Sequence, residues 1–359
     1  MNFLFRRATA AMLGAVCLVT LSGCKTTASN PSSGGAGSST VGTIGATGAP
    51  TTAKPPFDLN PLTGEYDITP GASVRPIAVM VENSKVARPQ YGLEKADMYV
   101  ETETEGGITR IMAVFSGVSR IPDKLGPLRS ARSPFIFLVQ SLGAAYLHVG
   151  GSTMGDRYIQ SLGLDDMNAI TYRGGQATWR DETMRRERGY EHSLLTSGEK
   201  VAAWFDDSGF SSEAKKPSPF SFADAVSGPG PGKEVQATIS GYQTVSFQYD
   251  EASGKYLKMN GKLDNAEPHK LMDGSQLSVT NVILMYDERF YETNVHIGFT
   301  LESGRGVLLT GGTSQTIGWK RTADALSFQK ADGSALSVNP GKTYLVLLSK
   351  ANESATVLR

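Results

Sequence analysis

The chain has two cysteines, Cys17 and Cys24, and both fall before residue 25. Everything downstream must fold without a disulfide, a thiolate nucleophile or a zinc–thiolate cluster. Its architecture therefore rests on buried apolar surface alone, even in an oxidising compartment. A hydrophobic content of 40% over 359 residues is enough for that, and the length suggests about two domains. The 40 glycines and 17 prolines predict many turns, and 35 basic against 35 acidic residues give no charge excess to attract nucleic acid.

The cysteines also date the start of the folded part. "MNFLFRR" is a short basic opening, "ATAAMLGAVCLVTLSG" is an apolar run of small residues, and Cys24 follows at once. Basic, apolar and small-residue regions in that order make a secretory signal peptide over residues 1–23. The run is short and alanine-rich for a membrane span. "LSGC" resembles the lipobox of bacterial lipoproteins, which implies cleavage before Cys24 and lipidation of its sulfur; a plain cleaved signal is the alternative. Without Arg6 and Arg7 the chain keeps 33 basic and 35 acidic residues, a net charge of about −2. Residues 24–56 then read as the lipidated cysteine and a disordered tether. In "KTTASNPSSGGAGSSTVGTIGATGAPTTAK" only the end lysines are charged and no periodicity appears. A flexible tract of this length reaches roughly 30 Å on average. The expectation is a folded part held by a lipid anchor at the extracytoplasmic face of a bacterial cell membrane.

Residues 57–228 alternate strand and helix signals. "RPIAVMVEN" (75–83) reads as a buried strand, and "ADMYVETETEGGITRIMAVF" (96–115) as two strands around Gly106-Gly107. "SPFIFLVQSLG" reads as a helix with Ser133 as N-cap, Pro134 in the first turn and Gly143 past the end. "AAYLHVGG" reads as a strand entering a glycine turn. Two further helices are expected with Thr153/Asp156 and Thr196/Glu199 at capping spacing. This is a mixed α/β layered domain. "SGPGPGKE" (227–234) marks a boundary, after which short alternating runs punctuated by Asn260-Gly261, Asp273-Gly274 and Asp332-Gly333 predict an antiparallel β-rich domain over 235–359, barrel-like or sandwich-like.

"RPIAVMVEN", "EGGITR", "GPLRSAR", "HVGGS", "WRD" and "EHSLLTS" occur in one order, followed by "PHKLMDG" and "NVILMY". Together they resemble the YerB-like lipoprotein family of Gram-positive bacteria, a DUF3048-type domain pair, over roughly residues 70 to 350. In that family's pattern glutamates match Glu101 and Glu105, Glu103 departs, and Ser193 stands where asparagine is usual. The resemblance implies location and fold, and carries no settled activity.

Arg129 and Arg132 lie just before the helix at 134–143, where the helix dipole already supplies positive charge. Two arginines there need something negative. One candidate is a bound anion (phosphate, carboxylate or acidic sugar), held by arginine forks and helix N–H groups. The other is an internal ion-pair network with "ETETE", whose Glu101, Glu103 and Glu105 alternate onto one strand face, with Arg110 joining. His148 with Gly150, Gly151 and Ser152 stands at a strand's carboxyl end, where ligands favour α/β sheets. His192, Arg180 and Asp181 could converge on the same edge, and Trp179 could stack on a sugar or fill core. No G-x-S-x-G, H-E-x-x-H or suitably placed S-x-x-K is present, no histidine pair has i,i+4 ligand spacing, and no cofactor or metal is expected. His269 and His296 read as structural.

The sequence thus predicts an envelope lipoprotein that binds an anionic or glycan-like ligand, such as a cell-wall polymer, at an arginine-lined edge, with an envelope protein as a further candidate partner. Two alternatives stand beside it. One is an enzyme of phosphate-ester or glycan chemistry at that edge, with His148 or Asp181 moving protons. The other is a scaffold whose arginines are purely structural.

Overall fold

Strand β1 (Pro76–Glu82) is buried along its whole length, so the sheet that holds it must be covered on both faces. The computed structural model, which describes residues 55–359, shows how. The expected signal peptide, the expected lipidation site Cys24 and nearly all of the expected tether lie outside the described residues. Strands β2 (Met98–Glu103) and β3 (Thr109–Ser116) pair antiparallel around Gly106-Gly107, with Glu103 opposite Thr109. Strands β4 (Ala145–His148) and β5 (Asp166–Asn168) extend the sheet in parallel beyond β1.

The second half supplies β6 (Glu234–Thr238), β7 (Thr244–Asp250), β8 (Lys255–Asn260), β9 (Asn281–Asp287), β10 (Ser303–Thr310), β11 (Thr313–Arg321) and β12 (Thr343–Ser349). Its pairings are mostly antiparallel, as expected. Strand β12 is different: it lies parallel to both of its neighbours, with Leu345 opposite Ile283 of β9 and Val100 of β2. One 11-stranded sheet therefore runs in the order β11-β10-β9-β12-β2-β3-β1-β4-β5, with short strands at the β11 edge. Residues on either side of the breaker cluster at 227–234 share this sheet. Strands β6, β7 and β8, with three two-residue strands, form a second, six-stranded sheet.

Alternation sends side chains to two cores. On one face Ile77, Val79, Tyr99, Ala113, Val282 and Tyr344 pack against Val235, Val245 and Phe247 of the second sheet. On the other, Met80, Val100, Met112, Ile283 and Leu345 pack under Phe135, Ile136 and Val139. Tyr344 of β12 stacks on Tyr99 of β2 at 5.3 Å between ring centres and meets Phe247 of β7 edge-on at 5.2 Å. Truncating such a buried ring to alanine costs about 3–5 kcal/mol.

Among the described residues there are five α-helices: α1 (Ser133–Leu142), α2 (Thr153–Ser161), α3 (Tyr172–Ala177), α4 (Glu182–Arg188) and α5 (Gly198–Asp207). The sequence reading anticipated the first, second and fifth but displaced their caps by one residue. Arg132, not Ser133, is the N-cap of α1, and the Ser133 hydroxyl donates to Glu292 at 2.6 Å. Ser152 and Ser197, not Thr153 and Thr196, cap α2 and α5. Thr196 instead ends a strand (Leu194–Thr196) and donates its hydroxyl to the Ala177 carbonyl at 2.9 Å. Gly143 ends α1 with φ 61°, a left-handed conformation that suits glycine.

Candidate functional site

The segment before α1 is held as a strap across the sheet end. Leu125 bridges to Thr196, Leu128 to Val81 and Ala131 to Gly151. The Arg129 amide donates to Met80 at 2.9 Å, and the Arg129 carbonyl accepts from Val149 at 3.0 Å. In extended chain, residues three apart leave on opposite sides. The two arginines accordingly meet different carboxylates.

Arg132 reaches Glu105. Its Nε donates to Glu105 Oε2 at 2.7 Å and a terminal nitrogen donates to Oε1. Arg110 of β3 donates to the same Oε1 at 2.6 Å and to the Ser130 carbonyl at 3.1 Å. Burial pushes the Glu105 carboxyl up, but the Arg132 hydrogen bond and the charges of Arg110 and Arg132 outweigh it and hold the group at about 2. Burial, together with repulsion from Arg132, brings the Arg110 guanidinium down to about 10. Tyr146 of β4 is fully buried beside these arginines, and burial pushes its hydroxyl up.

Arg129 reaches the outer rim. It donates to Glu191 at 2.8 Å, and its Nε lies 3.7 Å from Glu82 Oε2, beyond hydrogen-bond distance. Glu82 also meets His192 Nδ1 at 2.9 Å and accepts from Ser84 at 2.8 Å. Arg180 stacks on Tyr190 at 3.5 Å and donates to the Tyr190 carbonyl. Among the described residues four buried side-chain polar atoms have no hydrogen-bond partner, and three of them belong to this edge: Arg110 Nε, Arg129 Nε and the Tyr146 hydroxyl.

Several expected members are placed otherwise. The three glutamates of "ETETE" do not share a face, because β2 ends at Glu103 and a turn (Glu105–Gly107) carries Glu105 toward α1. Glu103 takes a fork from Arg289, with Nε at 2.7 Å. Glu101 takes no part in the arginine edge. His148 is wholly buried between the Gly150 carbonyl at 2.8 Å and Asp166 at 2.7 Å. The Gly150 amide is spent on Asn168 at 2.8 Å, and a side chain at Gly151 would strike Asp156 at 2.6 Å, so this turn is closed to an anion. Ser152 caps α2, and Asp181 caps α4 by accepting from the Met184 amide at 3.0 Å. Trp179 lies on a short strand (Thr178–Arg180) and is half-buried.

A second polar cluster escaped the sequence reading. Glu101 accepts from Asn83 and Thr109 at 2.7 Å and from Tyr344 at 2.7 Å, and lies 3.4 Å from the Lys258 ammonium. Lys258 also contacts His269 Nδ1 at 3.1 Å, and His269 Nε2 meets Gln90 at 3.0 Å. All of these side chains are buried. Burial lowers Lys258, opposed by Glu101, and lowers His269 well below 6.5, with Lys258 and Arg88 adding to it. The available signal was parity: in "KYLKMN" Lys258 shares the inward face with Tyr256.

Comparison with known proteins agrees with this architecture. The family described as "Protein of unknown function (DUF3048) N-terminal domain" matches residues 62–211, and its C-terminal counterpart, DUF3048_C, matches 235–345. The protein of Bacillus subtilis (strain 168) named "Putative lipoprotein YerB" is 28% identical over 294 residues, covering 79% of this chain and 84% of the relative. The crystal structure of YerB protein from Bacillus subtilis superposes with a TM-score of 0.71 at 25% identity, covering 84% of this chain and 99% of that one. No helix among the described residues is long and apolar enough to cross a membrane. The chain belongs to the DUF3048 family and carries its N- and C-terminal domains in that order.

Proposed function

We propose that the protein is a lipid-anchored envelope lipoprotein whose arginine edge takes an anionic or glycan-like ligand. The anchoring part is supported by the signal-like start, the "LSGC" sequence and the name borne by its Bacillus relative. Replacing Cys24 by alanine should move the protein from the membrane fraction to the soluble fraction; continued membrane retention would contradict the anchor. The ligand part is carried by one observation: three of the four unpaired buried side-chain polar atoms among the described residues gather at this edge, and each of the three can donate. Ligand acceptor oxygens would give them partners.

One observation favours the scaffold reading, since Arg132 and Arg129 already meet carboxylates. Arg129 is the more available of the two, because Glu191 is 69% exposed and an exposed pair is weak. Titration calorimetry of the full chain with a short glycerol-phosphate polymer separates the readings. The ligand reading expects salt-sensitive binding that Arg129→Ala weakens on the order of tenfold. The absence of binding by the unaltered chain would leave the scaffold. An enzyme reading is less supported, because His148 and Asp181 both have structural partners.

A further inference from the structure

The geometry points to Glu105 as a built-in stand-in for the ligand: we infer that its carboxylate occupies a site shaped for a terminal phosphate monoester, which displaces it. This rests on the anion-binding reading above and names its substrate class. A carboxylate has two oxygens, and both are used: Oε1 by Arg110 and Arg132, Oε2 by Arg132 Nε. Two buried groups at the same place have donor capacity left over, Arg110 Nε and the Tyr146 hydroxyl, whose oxygen faces the Arg132 amide. A tetrahedral oxyanion could take the same forks and has an oxygen to spare for them.

Arg110 is 3% exposed, which favours a chain end over the middle of a phosphodiester chain. A polymer's diesters would lie outward, at Arg129. Glu105 can be displaced without breaking the sheet. The β2–β3 ladder ends at Glu103 and Thr109, and Glu105 stands on the turn beyond it. In that turn Gly106 has φ 68° and open space around it. The turn's base is tied by the Thr104 amide to Ile108 at 2.8 Å.

The test uses the full-length chain, with inorganic phosphate and glycerol 3-phosphate as probes in a phosphate-free buffer, read by calorimetry and by the shift in Tm. Glu105→Gln removes the competing charge. It should bind glycerol 3-phosphate on the order of tenfold more tightly than the unaltered chain, with a larger Tm rise on saturation. Tyr146→Phe leaves the ion pairs intact and guards against a Glu105 variant that fails to fold. It should keep or raise the ligand-free Tm and weaken phosphate binding several-fold. Unchanged affinity in Glu105→Gln, or a lower Tm with unchanged affinity in Tyr146→Phe, overturns the inference. If the unaltered chain binds the glycerol-phosphate polymer through Arg129 while Glu105→Gln gains nothing, the stand-in fails and the anion-binding reading survives. If neither protein binds either probe, both fail.

Discussion

Glu105 and Glu101 lie four residues apart and hold opposite sides of the same sheet. Glu105 answers the charge of Arg110 and Arg132, and its carboxyl sits at about 2, below the ordinary 4.5. A depressed carboxylate stabilises the fold above its unfolded value and loses that contribution as pH falls through the folded one. Stability should therefore fall between about pH 4.5 and 2, and the slope in this window should be shallower in Glu105→Gln than in the unaltered chain, measured by chemical denaturation. His269 acts in a separate window. Its folded value is depressed and the unfolded histidine binds a proton first, so stability begins to decline as pH drops below 6.5. Glu101 is the harsher loss. Glu101→Gln leaves Lys258 buried without its counter-charge and should cost about 3–5 kcal/mol, measured by urea unfolding. Replacing Lys258 by methionine in the same chain should recover much of it.

At the scale of elements, Asp181 separates two readings of one residue. As the cap of α4, its replacement by alanine should cost about 1 kcal/mol, while asparagine, an equally good cap, should be near neutral. A proton-moving aspartate would not tolerate asparagine. Strands and helices with strong patterns were legible: β1 from its unbroken apolar run, β2 and β3 from alternation around Gly106-Gly107, α1 from Pro134 and Gly143. Helices α3 and α4 were not, because "YRGGQA" and "ETMRRER" bury only one to two residues each and carry no apolar stripe. Caps slipped because neighbouring serine and threonine at 152–153 and 196–197 offer equivalent hydroxyls, and only tertiary contacts choose between them. At the arginine edge the sequence offered a network of Arg129, Arg132 and Arg110 with Glu101, Glu103 and Glu105 as one of two alternatives, beside a bound anion. It missed Tyr146, Glu82 and Glu191, whose approach depends on how the 125–132 strap crosses the sheet.

At the scale of the molecule, the breaker cluster at 227–234 is a change of texture within one shared sheet. Strand β12 lies between β9 and β2, and the Glu101–Lys258 contact and the Tyr99–Tyr344 stack tie the two halves. Thermal unfolding should be one transition with equal calorimetric and van't Hoff enthalpies; two resolved transitions would show the halves melting separately. This arrangement was not legible because a parallel partner more than two hundred residues away leaves no local pattern. In the proposed binding the sheet frames the arginine edge, and the Glu105 turn is the part that moves. A crystal structure of the protein grown with glycerol 3-phosphate is the most direct measurement. The expected result is a phosphate group within hydrogen-bond distance of Arg132, Arg110 and Tyr146, with Glu105 swung outward. A fully occupied Glu105–Arg132 pair with no anion at the edge would contradict it.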